Sequence, residues 1–399
     1  MKNTYNFMIK TTTILTLILC HVPPVLAKED QEITSPTQAE DQFHLAMHYK
    51  KNDDNKQDLE KAFRWMEKAA DQGHAEAQHQ LGLMYDRGKG VAKNEKKSFY
   101  WMQKAADQGI AAAQFDMSLI YQEGIIFPKN PEKAFEWCQK AADQGYPNAE
   151  AVLGDMYYDG EGTPKNSEKA FYWYQKAADQ DYPDAKVSLG YMYNKGEGTP
   201  KNSEKAFYWY QKAADQGNED AETRFGYMYQ LGYGTPKDLE KAKYWYQKAA
   251  DQDYASGKYA LGQLIYDTGK TNPKNLAEAI KWIKQAAYQG NEAAECFLGA
   301  LYERGEGVPK NLEQAAYWFK KSAEQNFAGA DFCLGMMTAH DDIPSYPHTM
   351  DESLRWYQKA QLHVHISMTE VTPPSPSMIP FLQEIYQSLD DLPPLKFTE

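Results

Sequence analysis

The sequence predicts an all-α solenoid of about nine helix-turn-helix units, and three observations carry that prediction. All nine tryptophans fall on one lattice: Trp65, Trp101, Trp137, Trp173, Trp209, Trp245, Trp282, Trp318 and Trp356, with gaps of 36, 36, 36, 36, 36, 37, 36 and 38 residues. The text between them repeats, so that residues 163–180 read TPKNSEKAFYWYQKAADQ and residues 199–216 read the same. Within a unit, apolar residues recur at three- and four-residue spacing, the period of a helix and not the alternation of a strand.

Residues 1–27 stand apart from this lattice. They hold Lys2 and Lys10, the apolar run Ile14-Leu15-Thr16-Leu17-Ile18-Leu19-Cys20, and then Val25-Leu26-Ala27. A charged start, an apolar centre and a small residue at the cut are the order of a secretory signal peptide. The run is shorter than the roughly 20 residues a membrane-spanning helix needs, and Pro23 and Pro24 interrupt it. The competing reading is an uncleaved anchor. Leu19 stands before Cys20 where a lipoprotein cut needs a small residue. The expectation is a periplasmic or secreted protein with no stable membrane insertion once the signal is removed. Residues 28–36 follow as a linker.

A typical unit is residues 182–217, YPDAKVSLGYMYNKGEGTPKNSEKAFYWYQKAADQG. Its first helix, A, carries Ala185, Leu189, Met192 and Tyr193; its second, B, carries Ala206, Trp209, Tyr210, Ala213 and Ala214. Between them, glycine supplies the positive φ that stops helix A and proline prevents its resumption. Asn202 or Ser203 can cap helix B, Glu204 suits the positive end of its dipole, and Gly217 closes it. One hairpin cannot bury both its faces, whereas stacked hairpins can. A tryptophan buried between helices would cost about 3–5 kcal/mol if cut to alanine. Gly190 recurs as Gly82, Gly154, Gly226, Gly262, Gly299 and Gly335, with Ala46 and Ser118 in the other two units. Mid-helix glycine costs roughly 1 kcal/mol, so its recurrence predicts a helix packed too close for a side chain.

The nine units occupy residues 37–362. The first lacks the loop glycines and the last is irregular, as the ends of a solenoid require, and the third replaces Gly-x-Gly with Gly124-Ile125-Ile126-Phe127-Pro128. Residues 363–376 form a Pro-rich linker. Residues 377–399 read either as a helix that caps the last apolar face or as a tail that binds a partner.

With 43 Lys plus Arg against 56 Asp plus Glu, the formal net charge is −13, which argues against nucleic acid and anionic membranes as partners. Four cysteines are too few for a disulfide scaffold of this length; Cys138, Cys296 and Cys333 sit at helical positions of small apolar residues and read as reduced. There is no phosphate loop, no nucleophile elbow and no His-Glu-x-x-His. His44, His48 and His79 fall on neighbouring helices A, but without a further ligand they read as ordinary histidines. No cofactor and no metal is expected, and no enzyme. Lys68, Lys104, Lys140, Lys176, Lys212 and Lys248 on helices B read as a solvated outer face. An Asp recurs before the closing glycine (Asp71, Asp107, Asp143, Asp215), where it could cap the following helix A.

Leu-Gly-x-x-Tyr, then Gly-x-Gly-x-Pro, then Lys-Ala-x-x-Trp-Tyr-x-Lys-Ala-Ala-x-x-Gly resembles the Sel1-like repeat, a relative of the tetratricopeptide repeat. The resemblance implies a right-handed α-superhelix, a concave wall lined by helices A, and an adaptor that binds a protein or peptide. Exported bacterial members of that family imply host-interaction factors or periplasmic scaffolds. Cysteine-rich members are linked to β-lactam chemistry, but this chain lacks their paired cysteines. A cell-envelope enzyme or regulator is the alternative reading.

With about 100° of rotation per residue, the positions two before and two after the residue equivalent to Leu189 point away from the core. They include Phe43, Met47, His79, Leu83, Phe115, Leu119, Asp155, Val187, Tyr191, Tyr227, Tyr259, Gln263, Phe332 and Met336. This apolar and aromatic track reads either as a partner-binding groove or as helix A packing on the next helix A.

Overall fold

The computed structural model describes residues 37–51, 55–339, 355–356 and 358–360. Every regular element among these residues is a helix. Helices A span Ala39–Lys50, Ala75–Arg87, Ala111–Glu123, Pro147–Asp159, Pro183–Lys195, Glu219–Leu231, Ala255–Gly269, Glu292–Arg304 and Ala328–Ala339. Helices B span Lys56–Asp71, Glu95–Asp107, Pro131–Asp143, Ser167–Asp179, Ser203–Ala214, Leu239–Asp251, Pro273–Tyr288 and Leu312–Glu324. Each helix packs chiefly on the one before it and the one after it, so the hairpins stack as a solenoid. The proposed signal segment and residues 363–399 lie outside the described residues. No helix among the described residues is long and apolar enough to cross a membrane.

The helix ends follow from single residues. Asn202, not Ser203, caps its helix B, accepting from Lys205 N at 2.9 Å; Asn94, Asn130, Asn166, Asp238 and Asn311 do the same in their units. Gly196 ends helix A at φ +80°. The second loop glycine has a different reason: a Cβ on Gly198 would lie 2.2 Å from the Ser167 carbonyl oxygen, so the loop rests on the start of the preceding unit's helix B. The aspartate before the closing position does not cap the next helix. Asp107, Asp143, Asp179 and Asp251 instead accept from Gln103, Gln139, Gln175 and Gln247 one turn earlier, at 2.8–2.9 Å.

The paired alanines of helices B, with Leu189, Met192, Leu153, Met156 and their equivalents, form the fully buried spine. The mid-helix glycine lies under the residue that follows each lattice tryptophan. A Cβ on Gly190 would be 2.6 Å from the Tyr210 ring, and one on Gly154 2.6 Å from that of Tyr174. Where helix A carries Ser118 in place of glycine, the overlying residue shrinks to Cys138, which is buried. The tryptophans themselves are less central than their lattice implies. Trp173 and Trp318 are buried, but Trp65, Trp101, Trp137, Trp209, Trp245 and Trp282 are half-buried. The helix B lysines are not simply solvated: Lys68, Lys140, Lys176 and Lys248 hold their ammonium groups 4.0–4.6 Å from the indole centres of Trp65, Trp137, Trp173 and Trp245.

A polar rung closes each of five hairpins. The glutamine at the end of helix B bonds a buried polar residue on the helix A of its own unit: Gln72 to Gln42 at 2.8 Å, Gln108 to Gln78 at 2.7 Å, Gln144 to Gln114 at 2.7 Å, Gln180 to Glu150 at 2.7 Å and Gln252 to Glu222 at 2.9 Å. Two units place lysine at this buried position, and there the closing glycine becomes aspartate. Lys186 pairs with Asp181, and Lys258 with Asp253. Both aspartates adopt positive φ, 69° and 66°.

Candidate functional site on the helix A wall

Successive helices A touch side by side. His79 bonds Asp116 at 2.7 Å, the Tyr158 and Tyr191 rings meet at 6.2 Å, Arg224 stands 6.0 Å from the Tyr191 ring, and Tyr259 meets Phe297 at 6.3 Å. Between helices B, the one ring contact among the described residues is Tyr288 with Trp318, at 5.2 Å. Helices A thus form the wall along which these side chains of neighbouring units meet.

The fourteen residues expected on this wall divide by depth. Phe43, Met47, Leu83, Leu119, Val187, Tyr191, Tyr227 and Phe332 are half-buried, while Asp155 and Met336 are exposed. His79, Phe115, Tyr259 and Gln263 are buried. For the first three the cause is the neighbouring unit: Asp116 covers His79, Tyr146 lies 5.5 Å from Phe115, and Phe297 lies against Tyr259. At those points helix A packs on helix A and leaves no room for a partner.

Polar groups at the middle of the wall are held by tyrosines. Tyr174 reaches past Gly154 from helix B and donates to Asp155 Oδ1 at 2.7 Å; Tyr246 likewise donates to Gln230 Oε1 at 2.6 Å. Tyr158 donates to Glu197 Oε2 of the next unit's loop at 2.6 Å. Arg224 Nε donates to Asp220 Oδ2 at 2.9 Å. Asp155 is exposed by area, yet the packed helices around it desolvate its carboxyl. That desolvation pushes its carboxyl up to about 7; the Tyr174 hydrogen bond opposes the rise, and Asp159, Asp184 and Glu161 add to it. His79 behaves differently. Burial works against its charge, but hydrogen bonds and charge from Asp116 and Glu76 prevail and raise it to about 9. Such a wall offers half-buried aromatic and aliphatic anchors beside fixed acceptors, which suits recognition of a polypeptide. No group of three or more His, Cys, Asp or Glu among the described residues could hold a metal ion.

The pattern reading passed over the tyrosines that precede the tryptophans. Tyr100, Tyr172, Tyr208, Tyr244 and Tyr317 are each at least half exposed on helices B. Their signal was the recurring Tyr-Trp pair, which reads as core as long as both rings are assumed to be buried.

A family model described as Sel1 repeat matches residues 39–74, 75–110, 111–146, 147–182, 183–218, 220–254, 255–291, 292–327 and 350–360. Among solved structures the chain is similar to a Sel1 repeat protein from Oxalobacter formigenes, at 31% identity over 75% of this chain and 86% of that one, with a TM-score of 0.55. It shares its fold with a protective antigen present in uropathogenic Escherichia coli strains, at 24% identity over 91% of this chain and 96% of that one, with a TM-score of 0.51. No functionally curated protein matches the sequence. The stacked hairpins, their capping residues and the matched segments lead to one conclusion: the chain belongs to the Sel1 repeat family, whose repeats typically mediate protein–protein interaction.

Proposed function

We propose that the protein is a non-enzymatic scaffold that holds a peptide or helix of a partner protein along its helix A wall. The observation that carries this reading is the run of half-buried apolar and aromatic side chains on that wall, Val187, Tyr191 and Tyr227 at its centre, where a soluble monomer has no need of them. Rings already half-packed lose little freedom when a partner covers them, so they make efficient anchors. Residues 1–27, with their charged start and apolar centre, support export from the cytoplasm, and an exported adaptor with such a wall fits interaction with a host protein.

The test is capture of partners by the full chain and by the Tyr191→Glu, Tyr227→Glu double variant, followed by mass spectrometry. The double variant should lose capture while its helical circular dichroism is unchanged. Unaltered capture would remove this wall from consideration. Fractionation of periplasm from culture medium tests the export reading separately.

A further inference from the structure

Two of the cysteines meet in one joint of the stack. Cys296 on Glu292–Arg304 and Cys333 on Ala328–Ala339 belong to successive helices A. Both are thiols, and both are buried in one apolar cluster with Ala316, Phe319 and Leu334. Cys138 lies elsewhere, on a helix B, where it donates to the Ala149 carbonyl oxygen at 3.3 Å.

The repeat explains why the two sulfurs face each other. The position two before the Leu189 equivalent meets, in the next unit, the position one before it. His79 and Asp116 hold these places between units two and three, 2.7 Å apart. Tyr259 and Phe297 hold them between units seven and eight, with ring centres 6.3 Å apart. Cys296 and Cys333 hold them between units eight and nine. There the Cys333 S–H donates to the Cys296 sulfur, and that bond, with burial, pushes the Cys333 thiol well above its usual range. Small size alone does not account for the pair. Ala151 with Ser188, and Thr223 with Ala260, fill the same two places with small residues and no sulfur.

From hydrogen-bond contact to the roughly 2.05 Å of a disulfide is a movement that side-chain rotation supplies. We propose that Cys296 and Cys333 are an oxidisable pair that closes into a disulfide and staples the last hairpin to the unit before it. The step is thiol–disulfide exchange with an external disulfide as oxidant. Cys296, which accepts the hydrogen bond, loses its proton to solvent, attacks the oxidant and expels one of its sulfurs as a thiolate. Cys333 then gives up its own proton, attacks the Cys296 sulfur and expels the second. The chain loses two protons and two electrons, and the oxidant is reduced to two thiols. At 3% and 8% exposure the pair is closed to the oxidant until the hairpin lifts, and the ends of a stack are the first parts to open. A staple matters most in this hairpin, because the Sel1 match breaks off after residue 327 and resumes only at residue 350. The pairing does not depend on a partner at the helix A wall.

The test is incubation of the full native chain with oxidised glutathione, quenching with N-ethylmaleimide in denaturant, and tryptic mapping without reduction. Monomeric chain should yield peptide 285–304 joined to peptide 322–355, with Cys138 alkylated, and dithiothreitol should separate the two. Hydrogen exchange across Ala328–Ala339 should be at least about 10-fold slower in the oxidised chain than in the reduced one. Cys333→Ala, or Cys296→Ala if the first does not fold, should abolish both the link and the difference. Recovery of both cysteines alkylated, glutathione left on one of them as the end product, a bridge to Cys138, or a bridge that leaves exchange unchanged would each overturn the proposal.

Discussion

Lys186→Glu should destabilise the fifth hairpin, and adding Asp181→Gly should repair most of the damage. The reason lies in the pairing of two positions five residues apart. Gly73, Gly109, Gly145, Gly217 and Gly290 precede a buried Gln78, Gln114, Glu150, Glu222 and Glu295, whereas Asp181 and Asp253 precede Lys186 and Lys258. The Lys186 side chain is 4% exposed; it pairs with Asp181 and donates to Gln216 Oε1 at 2.8 Å. Breaking a buried pair costs about 3–5 kcal/mol. Asp181 is 79% exposed, so water replaces part of its role, and the loss for Asp181→Gly is set at about 2 kcal/mol. Glycine at a φ of 69° returns roughly 1 kcal/mol, leaving a net cost of about 1 kcal/mol. Lys186→Glu alone sets a buried carboxylate beside Asp181 and should cost about 3 kcal/mol. The double variant rebuilds the fourth unit, where Gln180 donates to Glu150 at 2.7 Å and Lys176 stands 3.5 Å from it; Gln216 and Lys212 would take those parts. It should fall within about 1 kcal/mol of wild type, a coupling of about 3 kcal/mol. Urea unfolding with native-state hydrogen exchange of the fifth hairpin measures this, since repeat arrays need not unfold in two states. Two single effects that simply add within about 0.5 kcal/mol would refute the reasoning.

Gly190→Ala should cost about 1–3 kcal/mol despite the better helix former, because the new methyl meets the Tyr210 ring. Adding Tyr210→Met copies the Ala46 and Met66 arrangement of the first unit and should recover most of the loss, read from the urea midpoint. His79, with its pKa raised to about 9, stabilises the fold fully below its unfolded value near 6.5 and loses that contribution as pH rises through 9. A melting series from pH 6 to pH 10 should therefore fall more steeply for wild type than for His79→Gln; parallel curves would count against the Asp116 pairing. Asp155 runs the other way, since a carboxyl raised to about 7 opposes folding once pH exceeds its unfolded value near 4. Asp155→Asn should raise the melting temperature at pH 8 and leave it unchanged at pH 4.

The architecture was legible because stacking forces repetition: a tryptophan about every 36 residues and a recurring mid-helix glycine leave few alternatives. Caps were legible for the same local reason, to within the choice between Asn202 and Ser203. Depth on the helix A wall was not. Positions two before and two after Leu189 are equivalent within one helix, yet His79 and Tyr259 are covered while Tyr191 and Tyr227 are only half covered. That difference is set by the neighbouring unit's side chains, such as Asp116 and Phe297, and a pattern read along one helix carries no information about what faces it. The outer tyrosines escaped for the converse reason, since aromatic spacing alone does not say which ring of a Tyr-Trp pair turns inward. The pairing of Asp181 with Lys186 was present in the sequence as a covariation between units, and only the bond between them explains it.

The seating of one loop on the hairpin before it has a mechanical consequence. Gly90, Gly162, Gly198 and Gly234 each bring backbone against backbone, on Leu59, Pro131, Ser167 and Ser203. The third unit has Ile125, Ile126 and Phe127 in that stretch, and the seventh runs from Gly269 through Lys270 and Thr271. Neither stretch has the glycine that admits this backbone contact in the other four units. Three successive joints, from unit three to unit six, are thus seated main chain on main chain, and a load that bends the stack should meet its greatest resistance there.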